Sequence, residues 1–226
     1  MIKILFWREI SKLAIALLAV ASLLSPPLGH ASYALLAQAI EKQDKSSLPD
    51  LKSMAEQANK KYSEGNYADS AAIWQKILLI VEGHFGPYHP NVALSLNNLA
   101  EPLRAQGKYA EAEPHFRRAL EINEKSLGSD HVDVATSLIN LAGLLRERGD
   151  YKAAIPLARR SLVIRVKALG PDHPDTASGL NALAAILDEQ GNYEEALRLY
   201  RIALAIREKN LGSDHPDVAT SLNNLA

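Results

Sequence analysis

The 226-residue sequence contains no cysteine, which excludes disulfide staples, thiolate metal sites, a cysteine nucleophile and a lipid-modified cysteine at the start of a mature chain. It lacks an excess of either charge. Its 25 basic and 26 acidic residues are interspersed for a net charge of −1, and no basic block is present that would release counterions from a phosphate backbone. Nucleic acid is therefore not an expected partner. Catalytic signatures are missing as well: there is no nucleophile elbow or zinc-protease helix motif, and Gly83-His84-Phe85-Gly86 lacks the following Lys-Ser/Thr that a phosphate loop requires. The expectation is a chain with no catalytic residues and no cofactor. What remains, 47% hydrophobic and 23% charged residues, is the balance of an ordinary soluble protein with a sizeable core.

The N-terminus reads as an export signal. Lys3, Arg8 and Lys12 precede an apolar run of 12 residues from Leu13 to Leu24, which stops at Ser25-Pro26-Pro27. Small residues at Gly29 and Ala31, or at Ser32 and Ala34, offer the small-x-small pattern of a signal peptidase site, and cleavage after Ala31 is expected. The run falls short of the roughly 20 residues that span a bilayer, so an uncleaved membrane anchor is the lesser reading. Residues 1–31 are thus assigned as signal peptide and 32–49 as a linker with a short helix, polar from Asp44 to Asp50. The expected location is periplasmic or secreted.

From about Asp50 the chain repeats. Gly65, Gly107, Gly149 and Gly191 fall 42 residues apart, and each is followed two positions later by a tyrosine: Tyr67, Tyr109, Tyr151 or Tyr193. The same spacing relates Leu127-Gly128-Ser129-Asp130-His131-Val132 to Leu169-Gly170-Pro171-Asp172-His173-Pro174, and Leu138-Ile139-Asn140-Leu141-Ala142 to Leu180-Asn181-Ala182-Leu183-Ala184. Each unit reads as two antiparallel helices. Helix A opens near the His-Pro step, where a first-turn proline costs no hydrogen bond, with Asp130, Asp172 and Asp214 as candidate caps. Val134, Leu138, Leu141, Ala142 and Leu145 form one apolar stripe along it. Helix B begins near Tyr109 or Tyr151 and carries Ala112, Phe116, Ala119 and Leu120 on one face. A single pair cannot bury both stripes, so successive pairs must stack into a solenoid. Pro102 late in helix A is expected to bend it, and Pro114 and Pro156 sit early in helix B.

These blocks resemble the tetratricopeptide family. The 42-residue period, with Leu-Gly-Ser-Asp-His-Pro-Asp-Val-Ala-Thr-Ser-Leu-Asn-Asn-Leu-Ala at 211–226, looks like the kinesin light chain subgroup. The resemblance covers about residues 51–226. It implies an all-α, right-handed superhelix over 50–226, about four helix pairs and the start of a fifth. Kinesin light chains carry a coiled coil before their repeats, which residues 1–50 do not provide, so motor binding is not implied. The register places Ala226 about ten residues into a helix A with no helix B to cover Leu222 and Leu225, as in a fragment or a product that continues.

His89, His131, His173 and His215 recur, but equivalent positions in stacked pairs lie at least about 8 to 10 Å apart and cannot share a metal. Capping or packing at the start of helix A is the expected role, and no metal site is assigned. The asparagines carry more weight, since Asn is a mediocre helix former. Asn98, Asn140 and Asn224 lie nine residues before the loop glycine or its expected equivalent, a register that the resemblance places in a peptide-binding groove, with Asn97 and Asn181 beside it. Ala182 interrupts the ladder. Arg104 and Arg146, three positions before the loop glycines, would favour an acidic ligand locally, and Asp188 reverses the sign in the next repeat. The function expected is a scaffold binding a protein or peptide segment in its groove. The alternatives are a targeting arm of a larger enzyme whose catalytic domain lies beyond Ala226, and a structural array that self-associates through the uncovered last helix.

Overall fold

The computed structural model describes residues 50–213 and 215–225. The assignments over 1–49, signal peptide and linker, lie outside them, as does the capping role given to Asp214. The described residues form nine α-helices and no strand: α1 (Leu51–Ser63), α2 (Tyr67–Phe85), α3 (Pro90–Ala105), α4 (Tyr109–Leu127), α5 (Val132–Glu147), α6 (Tyr151–Leu169), α7 (Pro174–Glu189), α8 (Tyr193–Leu211) and α9 (Pro216–Asn223). The odd-numbered helices are the A helices and the even-numbered ones the B helices. Each packs mainly on its neighbours in sequence, and α5 also touches the A helices before and after it, α3 and α7. No helix of the described residues is long and apolar enough to cross a membrane.

The apolar stripe foreseen on helix A is buried in full: Val134, Leu138, Leu141, Ala142 and Leu145 have almost no exposed surface. Ala112, Phe116 and Ala119 on α4 share a core cluster with Leu141, Ala142 and Leu145, and the half-buried Leu120 packs against the cluster of Val134 and Leu138. Small alanines share this core with Phe116 and Trp74, two of its largest fully buried side chains. The helix runs on past Pro102 to Ala105; the Pro102 ring is buried, and its carbonyl accepts from the Gln106 backbone N–H and from Gln106 Nε2 at 3.2 and 3.0 Å.

The two turns of each repeat make different demands on the backbone. At the A-to-B turn the chain enters positive φ at Gly149 (φ 77°), and the Asp150 carboxylate caps α6 through the Ala153 N–H at 3.1 Å. At the B-to-A turn Gly128 has φ 89° and ψ 155°, a region that only glycine occupies readily. The following helix is capped by histidine, one of the two roles expected of it at this turn, and not by the aspartates, the other candidate caps. Nδ1 of His89, His131 and His173 accepts from the backbone N–H two residues on, at 3.2, 3.2 and 3.1 Å. Asp130 and Asp172 are engaged elsewhere: their carboxylates pair with Lys167 and Lys209 of the next B helix.

Repeat-to-repeat polar contacts recur with the same period. Asn123 Nδ2 donates to Ser137 Oγ at 3.0 Å, Arg165 Nη1 to the Asp175 carbonyl at 3.0 Å, and Arg207 Nη1 to Ser221 Oγ at 2.7 Å. One position on helix B therefore ties each pair to the next A helix. Burial holds the Arg165 pKa below the usual guanidinium value against the pull of Asp175.

Candidate functional site

One face of the A helices lines a groove of about 820 Å³. Glu56, Asn98, Asn140 and Ala182, the same position in four successive A helices, all border it. Leu94 and Thr136 lie one helical turn before this position and Glu101 and Gly143 three residues after it, so the 3.6-residue period alone brings them to the same face. Trp74 of α2 closes part of the floor.

Of the asparagines and arginines singled out in the sequence, Asn97, Asn98, Asn140, Arg104 and Arg146 border this groove. Asn97 is 8% exposed and its Oδ1 has no hydrogen-bond partner; Asn98 Nδ2 and Arg146 Nε are likewise buried and without a hydrogen bond, Nε lying 3.8 Å from Glu189. Asn181 and Asn224 are not among its lining residues. The amide of Asn181, oriented with its oxygen toward α8, accepts from Arg207 Nη1 and Nη2 at 2.6 and 3.2 Å. Asn224 is the exposed C-cap residue of α9. The groove residues Leu94, Thr136, Ile139 and Glu101 were not singled out from sequence, although their spacing from Asn98 and Asn140 carried the signal.

The arginines are not free cations. Arg104 Nη2 donates to Glu101 at 2.6 Å, and Nη1 reaches across to Glu147 of the next A helix at 3.0 Å. Arg146 repeats the reach more loosely, 3.8 Å from Glu189 and 4.0 Å from Glu147. Each arginine thus has two carboxylates within 4.0 Å, hydrogen-bonded at Arg104 and more distant at Arg146. Burial raises the Glu101 pKa despite the neighbouring Arg104, whereas at Arg104 burial opposes the charge but is outweighed by the two carboxylates, and the pKa rises. Arg104 therefore stays charged, and it is the fixed centre of the cluster. Among the described residues no three His, Asp or Glu side chains are grouped so as to hold a metal ion.

The tetratricopeptide repeat family matches at residues 55–125, 95–165, 144–209 and 180–226. The chain belongs to the tetratricopeptide repeat family. Among solved structures it is similar to a Podosopora anserina protein described as a putative kinesin light chain with nearly identical TPR-like repeats: 26% identity over 77% of this chain and 83% of that one, TM-score 0.66. A variant form of the same protein gives 26% identity, 77% and 82% coverage and a TM-score of 0.67. BtubC (BKLC) from P. vanneervenii shares the fold, with 20% identity over 78% of this chain and 70% of that one, TM-score 0.66. No curated protein matches the sequence. The structural neighbours are kinesin light chain-like repeat proteins, one of them bacterial, and the tetratricopeptide family is generally non-catalytic and generally binds protein partners.

Proposed function

We propose that this tetratricopeptide repeat protein is an interaction scaffold that receives an extended segment of a partner protein in the groove of its A helices. The observation that carries this reading is the shared register of the A helices, which brings Asn98 and Asn140, one repeat apart, to the border of a single groove. An amide side chain offers a donor and an acceptor together, which suits the C=O and N–H of a peptide backbone. Successive A helices present Asn98 and Asn140 at one register, so a segment running across them meets the same chemistry twice.

The test is partner capture with the full chain, compared with Asn98→Ala and Asn140→Ala. Each substitution is expected to weaken binding by about 0.5 to 1.5 kcal/mol with the melting temperature unchanged. If melting falls and binding holds, the asparagines pack helices and the reading fails. We further propose that the protein is exported, on the pattern of charge, apolar run and small residues over 1–31. Intact mass of the exported protein should correspond to a start at Ser32, and retention of Met1 in a membrane pellet would overturn it.

A further inference from the structure

We infer that the outer face of α6 and α8 is a second docking surface, which takes one amphipathic helix of a partner protein with aliphatic side chains on one side and a carboxylate at their edge. Two successive junctions between B helices are tied by the same two repeat positions. Glu82 of α2 pairs with Arg118 of α4, and Glu124 of α4 with Arg160 of α6 at 2.6 Å. In the next junction, 42 residues on, those positions hold Val166 of α6 and Ile202 of α8. The packing that brings Glu124 to Arg160 makes these two neighbours, and they are 40% and 50% exposed. Val163, three residues before Val166 and on the same side of the helix, is 65% exposed. Single exposed aliphatics are ordinary, but these three gather where the repeat otherwise carries an ion pair, and exposed apolar groups that lie together mark contact sites. Neither α6 nor α8 lines the groove, so this surface is independent of the groove reading.

The charges around the patch place a carboxylate at its edge. α6 has five cations and no carboxylate over Tyr151–Leu169. Arg165 is buried, and Arg159, Arg160 and Lys167 pair with Glu195 of α8, Glu124 of α4 and Asp130 of the turn before α5. These cations are thereby drawn to either side and leave Val163 and Val166 uncovered. The exposed charges of α6 and α8 without an ion pair among the described residues are Lys152, Arg198 and Arg201 against Glu194 and Glu208. Arg201 and Glu208 hold the repeat positions of Arg159 and Val166, which face the following junction. On the side of the patch that leaves Lys152 and Arg198 against Glu194, and Arg198 stands one turn before Ile202. An extended segment is disfavoured here, because helix-bonded backbones offer it no ladder of N–H and C=O groups, whereas a helix satisfies its own. Bilayer-binding faces are built from Trp, Phe and Leu, whereas this patch holds valine and isoleucine.

The test is selection on the full chain from a display library of helix-forming peptides with varied apolar and charged positions. Enriched peptides should carry aliphatic residues at the i, i+3/i+4, i+7 spacing of one helix face, with more Asp and Glu than Lys and Arg. The control variant is Val166→Glu with Ile202→Arg, which copies into this junction the pair that Glu124 and Arg160 make in the one before. Its melting temperature should be unchanged, and peptide binding should fall at least about tenfold. Val163→Ser, a single change at an exposed position, gives the same reading if the double variant unfolds. Arg198→Glu should weaken the acidic peptides about two- to fivefold, and Asn98→Ala should leave them unaffected. Peptides that bind the double variant and Val163→Ser as well as the parent, or no enrichment at all, would overturn the inference. Peptides lost only in Asn98→Ala would lie in the groove, supporting the reading made there and overturning this one. If no helical peptide is enriched and the double variant instead loses self-association in sedimentation, or binding to phosphatidylglycerol vesicles, the face belongs to a second copy or to a membrane and the inference equally fails.

Discussion

Replacing Gly128 by alanine should destabilise the protein more than replacing Gly149, although neither new methyl group touches anything. An ideal Cβ at either position has no atom within 4 Å, so packing drops out of the comparison and only backbone preference remains. Gly149 has φ 77° at the A-to-B turn, and a left-handed backbone costs an L-residue about 1 to 2 kcal/mol. Gly128, with φ 89° and ψ 155°, lies in the region reserved for glycine, where the strain is at the upper end of about 1 to 3 kcal/mol. For a chain of this size each kcal/mol lowers the melting temperature by roughly 2 to 4 °C. Thermal and urea unfolding followed by far-UV circular dichroism, on Gly128→Ala and Gly149→Ala in parallel, reads the difference directly. A loss at Gly149 equal to or larger than that at Gly128 would refute the assignment of the two turns to different backbone regions. Valine at Gly107 or Gly149 should cost about 1 to 3 kcal/mol, because branching at Cβ adds to the same strain.

Phe116→Ala should cost about 3 to 5 kcal/mol in unfolding free energy, because the ring has no exposed surface and belongs to the main core cluster; a loss below about 1 kcal/mol in denaturant unfolding would mean that the core collapses to fill the space. Stability should also fall on acidification from about pH 6.5, the ordinary histidine value. Burial lowers the His89 pKa, so the unfolded chain takes up a proton before the folded one, and stability is lost between the ordinary value and the folded one. His89→Asn, which retains a capping acceptor without titrating there, should flatten the His89 part of that slope in melting measured against pH; an unchanged slope would show that His89 does not contribute. Asn123→Ala should cost about 1 kcal/mol, read by urea unfolding, because it removes the donor to Ser137 Oγ and the Asp133 carbonyl.

The sequence by itself determined the architecture. A 42-residue self-match located every helix start and turn from Pro90 to Leu211, because helix period, proline at a first turn and glycine beyond a helix end are consequences of local backbone geometry. It also put Asn98 and Asn140 on one face, since equivalent positions in stacked repeats must align. What it did not determine was which charged and polar groups meet. Arg104 looked like a free cation because its second carboxylate, Glu147, is 43 residues away and becomes a neighbour only when α3 and α5 pack. Asn181 shares the repeat position of Asn97, yet it faces Arg207 of α8 whereas Asn97 borders the groove. Asp130 and Asp172 and the histidines beside them were all candidate caps, but Lys167 and Lys209 of the next B helix take the aspartate carboxylates and leave the capping to histidine. Each of these outcomes is a choice among several partners within reach of a flexible side chain, and the stacking of one pair on the next makes that choice.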